Sequence, residues 1–150
     1  MKRFRFRLEK LLRLTLSREQ AAEAELAEAR RREDDERRRL RQIETALVKT
    51  MTATRELERH PANVAEIKKH RDYLKKLGAD RERQTGALAA AAAVTAERLK
   101  ALLEIRKERK SLENLKARRQ ADHTRLTLAE EQKVLDEVGG QEAARKRTPA

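Results

Sequence analysis

Proton transfer or metal binding in this chain would fall first to three histidines, His60, His70 and His123, because imidazole titrates nearest neutrality. None has company suited to either task. No carboxylate joins a histidine at metal-ligand spacing, and no His-Glu-x-x-His run occurs. Each histidine reads as a solvent-facing or seam-filling side chain. The chain has no cysteine, so it offers no thiolate nucleophile, disulfide or thiolate metal site. Its four glycines do not lead into Lys-Ser or Lys-Thr, as a phosphate-cradling loop requires. The expectation is a non-enzymatic protein with no cofactor and no metal.

The chemistry that remains is charge. Lys and Arg number 38 against 26 Asp and Glu, a net +12. Residues 1–18 hold Lys2, Arg3, Arg5, Arg7, Lys10, Arg13 and Arg18 against Glu9 alone. Residues 98–119 hold nine basic side chains, among them Arg106, Lys107, Arg109, Lys110, Arg118 and Arg119, against Glu104, Glu108 and Glu113. Each window is +6, so the rest of the chain sums to zero. Such clusters attract phosphate or carboxylate surfaces, with a strong dependence on salt. Nucleic acid is not the expected partner. No aromatic is placed for base stacking apart from Phe4 and Phe6, and no basic region leads into a zipper.

These charges must be carried on long helices. Charged residues make up 43% of the chain and aromatics 2%, with two prolines. That is too little apolar bulk for a globular core, and it suits helices meeting along a narrow seam. Leu12, Thr15, Glu19, Ala22, Leu26, Ala29, Glu33, Glu36, Leu40, Ile43, Leu47, Thr50, Thr54 and Leu57 recur at alternating steps of four and three, the rhythm of a left-handed supercoil. Across the charged stretch, Glu28–Arg32, Glu33–Arg37, Asp34–Arg38 and Asp35–Arg39 are spaced to pair along one helix. Pro61 ends this helix, since proline disfavours helical backbone at the residue before it. Asn63 caps the next, with Glu66 three residues on.

The second seam reads Ile67, His70, Leu74, Leu77, Arg81, Gln84, Leu88, Ala91, Thr95, Arg98, Leu102, Ile105, Arg109 and Leu112. Its phase then shifts toward Leu115, Leu126, Leu135 and Val138, and Gly139-Gly140 stops the helix. The expected fold is all-α: an antiparallel two-helix coiled-coil hairpin with helix 1 over about residues 3–59, a turn at 60–63 and helix 2 over about 64–138. Residues 1–140 then form a single hairpin, with 141–150 a flexible basic tail. Folding near residues 61–62 sets Leu12 against the neighbourhood of Leu112, Leu8 against Leu115 and Phe4 against Arg119. Phe4, Phe6, Leu8, Leu11, Leu12, Leu112 and Leu115 become anchors at the base, and the two basic windows lie side by side. The longest apolar run, Ala87 to Val94, is far short of the ~20 residues a bilayer needs. A soluble cytoplasmic protein is expected.

The pattern Phe4-x-Phe6-x-Leu8-Glu9-x-Leu11-Leu12 resembles the FliJ family, coiled-coil components of the bacterial flagellar type III export apparatus. Glu108-Arg109-Lys110-x-x-Glu113-x-Leu115 and Glu131-Gln132-Lys133-x-Leu135-Asp136-Glu137 resemble it too, in the same order. The resemblance implies a two-helix antiparallel coiled coil similar to the central stalk of rotary ATP synthases. It implies that the end bearing both termini enters a hexameric export ATPase ring (FliI-like), and that the turn end reaches the export gate (FlhA-like). Export chaperones are further implied partners, with a cytoplasmic position at the inner-membrane face of the flagellar basal body. Lys2, Arg3, Arg5, Arg7, Lys10, Arg13, Arg106, Lys107, Arg109, Lys110, Arg118 and Arg119 would then meet the ring. An aromatic and a leucine four residues apart, here Tyr73 and Leu77, match the family's gate contact. Where the family continues with a small apolar residue and a histidine, this chain has Asp80 and Gln84. The other readings are a stalk of a virulence-type secretion system and a generic basic coiled coil binding nucleic acid.

Overall fold

In a computed structural model, which describes residues 2–60 and 64–148, the chain forms two long helices and no strand among those residues. Helix α1 is Glu9–Glu58, 50 residues, and α2 is Val64–Arg147, 84 residues. The expected turn at Pro61 and the Asn63 cap lie outside the described residues. Backbone bonds from Arg59 N–H to the Glu56 carbonyl and from His60 N–H to that of Leu57 tighten the end of α1 before Pro61.

The chain divides into two compact units, Met1–Arg18 with Ile105–Ala150, and Glu19–Glu104. In each, a stretch of α1 packs antiparallel on a stretch of α2. In the first unit Glu9 faces Lys116 at 2.9 Å and Arg18 faces Glu108 at 3.0 Å. In the second, Glu25 meets Arg98 at 3.1 Å, Glu44 meets Arg81 at 3.7 Å and Glu58 meets Arg71 at 2.8 Å. Rising numbers on α1 thus meet falling numbers on α2. These pairs are largely exposed, where an ion pair contributes about 0–1 kcal/mol. They mark the register more than they hold it.

The seam does the holding. All fourteen positions assigned to it on α1 are buried or half-buried, and on α2 twelve of fourteen are. The two exceptions, Arg81 and Arg98, are exposed and send their guanidinium groups outward to Glu44 and Glu25. Long stems can lie along the groove while the charge stays in water. Leu12, Leu26, Leu77 and Leu102 are buried, with Leu102 only 2% exposed. Thr15 and Thr54 are buried polar residues that explain how threonine can serve a seam. The Thr15 hydroxyl donates to the Leu11 carbonyl at 2.9 Å, and that of Thr54 to the Thr50 carbonyl at 2.7 Å. The hydroxyl is satisfied inside its own helix, which frees the methyl for packing. Gln84 sits half-buried and donates across to the Glu36 backbone carbonyl at 3.0 Å and to the Glu36 carboxylate. Along α1, Arg32 takes Glu28 and Arg37 takes Glu33 as spaced, but Arg38 turns to Asp35 and Arg39 to Glu36, each three residues back. Both spacings lie on one helix face.

Three boundaries differ from expectation. Residues 2–6 have no regular secondary structure, so α1 begins at Glu9 rather than near residue 3. The reason is written in the residues. From Arg3 to Leu8 charge and apolar side chain alternate, and exposure alternates with them. A period of two belongs to extended backbone and not to a helix. Second, α2 runs through Gly139-Gly140 to Arg147. Neither glycine takes a positive φ, which a glycine cap requires; each instead sits in the helix at a cost of about 1 kcal/mol relative to Ala. Arg145, Lys146 and Arg147 in the last turn suit the helix dipole. The Thr148 hydroxyl donates to the Ala144 and Arg145 carbonyls at 3.2 and 3.1 Å.

Third, the phase does not shift past Leu112. Leu115, Lys116, His123 and Thr127 are half-buried, whereas Leu126 and Leu135 are 61% and 65% exposed and Val138 is exposed as well. Every described residue from 128 to 148 is exposed.

Two substitutions test this seam. Leu102→Ala should destabilise the fold by about 2–5 kcal/mol, while Leu126→Ala should change it by less than about 0.5 kcal/mol. Urea unfolding followed by helical circular dichroism measures both. Adding a Cβ at Gly78 and Gly86 meets no atom within 4 Å, so the double alanine variant should raise stability by roughly 1–2 kcal/mol in the same assay.

Candidate functional site

The first unit gathers the charge. Its two segments carry 19 Lys and Arg against 9 Asp and Glu, a net +10 of the chain's +12. All twelve basic residues expected to form one surface, from Lys2 to Arg13 and from Arg106 to Arg119, belong to it. Eleven are exposed, and Arg109 is half-buried with its guanidinium on Glu113 at 3.0 Å. Arg3, Arg5, Arg7, Lys10, Arg13, Lys110 and Arg118 make no ion pair with any described residue. The unit keeps a few internal pairs and leaves most of its cations facing water.

The local backbone explains how three arginines stay free. In the extended run from Arg3 to Arg7, alternate side chains point to opposite sides. Phe4 and Phe6 turn to α2, and Arg3, Arg5 and Arg7 turn away. Phe6 is buried at 8% exposure, and the Arg119 guanidinium carbon lies 5.9 Å from its ring centroid. That contact is a cation–π pair. Phe4 is half-buried, its ring centroid 5.6 Å from that of His123 at 57°. The expected opposition of Phe4 and Arg119 is therefore displaced: Phe6 takes Arg119, and Phe4 reaches a turn further to His123. Extended chain rises about 3.3 Å per residue against 1.5 Å in a helix, so fewer residues cover more of α2.

Of the other base residues, Leu12 is buried, and Leu8, Leu112 and Leu115 are half-buried. Leu11 is 44% exposed and lies off the seam. Lys116, Glu9 and His123 complete the base and were not expected there from the sequence. The signal for His123 was its place eleven residues, three turns, beyond Leu112 on the same face.

In the second unit Tyr73 is 45% exposed and Leu77 is buried. Of that pair, Tyr73 alone faces outward. Gln84, where the resemblance led to a histidine, is committed to Glu36, and Asp80 is committed to Arg83. Among the described residues no group of three or more His, Cys, Asp or Glu could hold a metal ion.

The family model described as flagellar FliJ protein matches residues 4–148. No curated protein and no solved structure gives a match.

The unequal depth of the two rings yields a measurable order. Phe6→Ala should cost about 3 kcal/mol or more. Phe4→Ala should cost clearly less, about 1–2 kcal/mol, because its ring is only partly removed from water. Chemical unfolding of the two single variants gives both values; equal costs would contradict the alternation.

Proposed function

The chain belongs to the flagellar FliJ protein family, and on that premise we propose that it is a non-enzymatic central stalk and adaptor of the flagellar type III export apparatus. In this reading it links a FliI-like hexameric export ATPase to a FlhA-like export gate and assists export chaperones. It works in the cytoplasm at the inner-membrane face of the flagellar basal body. No helix among the described residues is long and apolar enough to cross a membrane, which is compatible with a peripheral place.

One observation carries the proposal. Net charge of +10 is concentrated in a single unit, with Arg3, Arg5 and Arg7 unpaired on the outer side of an anchored strand. A stalk inside a ring must meet several subunits without one fixed docking pose. Exposed charge suits that task, because it speeds and orients encounter more than it adds affinity. Arginine strengthens the case, since its planar fork engages carboxylates in two parallel hydrogen bonds. The gate contact is assigned to the second unit, with Tyr73 presented to the partner and Leu77 supporting it from the seam.

Reversing Arg3, Arg5 and Arg7 to Glu should abolish stimulation of the assembled export ATPase while leaving helicity unchanged. Wild-type stimulation should also fall as ionic strength rises past about 0.1 M, where the Debye length is about 10 Å. ATPase rate and circular dichroism on the same samples decide the matter. Full stimulation by the reversed variant would refute the ring contact, and salt-steep binding of arbitrary duplex DNA without any effect on the ATPase would favour nucleic acid instead.

A further inference from the structure

Leu112, Lys116, His123, Thr127, Val134 and Val138 recur on α2 at steps of four and seven, so they share one helix face. The first four are half-buried in the first unit, and the last two are exposed. Past Thr127 the seam therefore continues as an open stripe. A shallow groove of about 840 Å³ follows it, floored by Leu126, Val134 and Leu135 and edged by Glu130 and Glu131. The three apolar side chains are between 58% and 65% exposed.

The stripe is also acidic. Glu130, Glu131 and Glu137 lie within about 60° of Val134 round the helix, and none makes an ion pair with a described residue. Residues 128–142 hold Glu130, Glu131, Asp136, Glu137 and Glu142 against Lys133, a net −4 inside a unit of +10. Lys133 sits about 100° round the helix from Val134, off the stripe. Arg125 is held by Asp122 at 3.5 Å, and the next cations, Arg145 to Arg147, come after the apolar residues. Lys2 is the one cation lining the groove, against two carboxylates. The sign is reversed from that of the pairs already made. Lys116 meets Glu9, Arg98 meets Glu25, Arg81 meets Glu44 and Arg71 meets Glu58, so α2 supplies the cation; Arg18 with Glu108 runs the other way.

We propose that this stripe docks an amphipathic helix of a protein partner whose apolar residues are flanked by Lys or Arg. The spacing selects a helix, because the same face of α2 is covered by α1 further back and a coiled-coil seam continues most simply with another helix. The charge selects among helices. A second copy of this stretch would bring −4 against −4, and like charges facing each other across a seam are unfavourable. Nucleic acid and anionic lipid carry the same sign as the rim. The inference goes beyond the ring and gate contacts and depends on neither.

The test follows the full isotope-labelled chain by NMR while a synthetic helical peptide is added, with leucines at heptad spacing and lysines on both flanks. Its controls are the same peptide with glutamate for lysine, and a scrambled lysine peptide. Saturable shifts at residues 126–142 are expected from the lysine peptide alone. Glu130→Lys, Glu131→Lys and Glu137→Lys together should weaken that response about tenfold or more and transfer it to the glutamate peptide. Leu126→Ser with Val134→Ser, which leaves the charge intact, should weaken it as well. All five residues are exposed or half-exposed at the surface, so both variants keep their helicity by circular dichroism. Equal shifts from the scrambled peptide, an unchanged response in the charge-reversed variant, or a dimer in sedimentation that Leu126→Ser with Val134→Ser dissolves would each overturn the proposal.

Discussion

The packing of α1 against α2 along a seam one or two side chains wide is the interaction on which every other feature rests. Few residues are buried, and among them alanine and threonine stand beside leucine. Leu102 and Leu26 each contribute several times what a surface ion pair does, since a buried leucine is worth about 1.5–3 kcal/mol and an exposed pair only tenths. So thin a seam would admit more than one alignment if it were uniformly apolar. Polar residues within it restrict the choice. Gln84 finds the Glu36 carbonyl and carboxylate in one register and loses both acceptors in another. The cost of an unsatisfied buried polar group is about 1–3 kcal/mol. A coiled coil can gain specificity in this way while giving up some stability.

Most of the fold was legible because period and spacing are local properties of sequence. The α1 seam could be read position by position. The α2 seam failed only at Arg81 and Arg98, where side-chain length decides the matter and spacing does not. The N-terminal segment was read as helix because Leu8, Leu11 and Leu12 fall into helical spacing just after it. The two-residue alternation of Arg3-Phe4-Arg5-Phe6-Arg7 was the stronger local signal. The glycine pair misled for another reason. A glycine ends a helix when something rewards the left-handed turn, and at Gly139 and Gly140 nothing does. Beyond Thr127 the apolar residues of α2 were given a phase as though a partner covered them. Whether one does is a property of the three-dimensional pairing, which periodicity does not report.

Of the interaction surfaces, charge was visible in composition and position, and its concentration followed from the antiparallel pairing.

The two units therefore present different physics to their surroundings. The first carries +10 and the second +2. Concentrated charge repels itself and lowers the stability of the unit that bears it, so burying Phe6 under Arg119 and tying Lys116 to Glu9 serve a purpose beyond packing. They hold two of the cations close to compensating groups and leave Arg3, Arg5 and Arg7 free on the other side of the strand. A field of that kind acts over a Debye length and discriminates weakly among acidic surfaces. The second unit is nearly neutral and exerts no comparable long-range field.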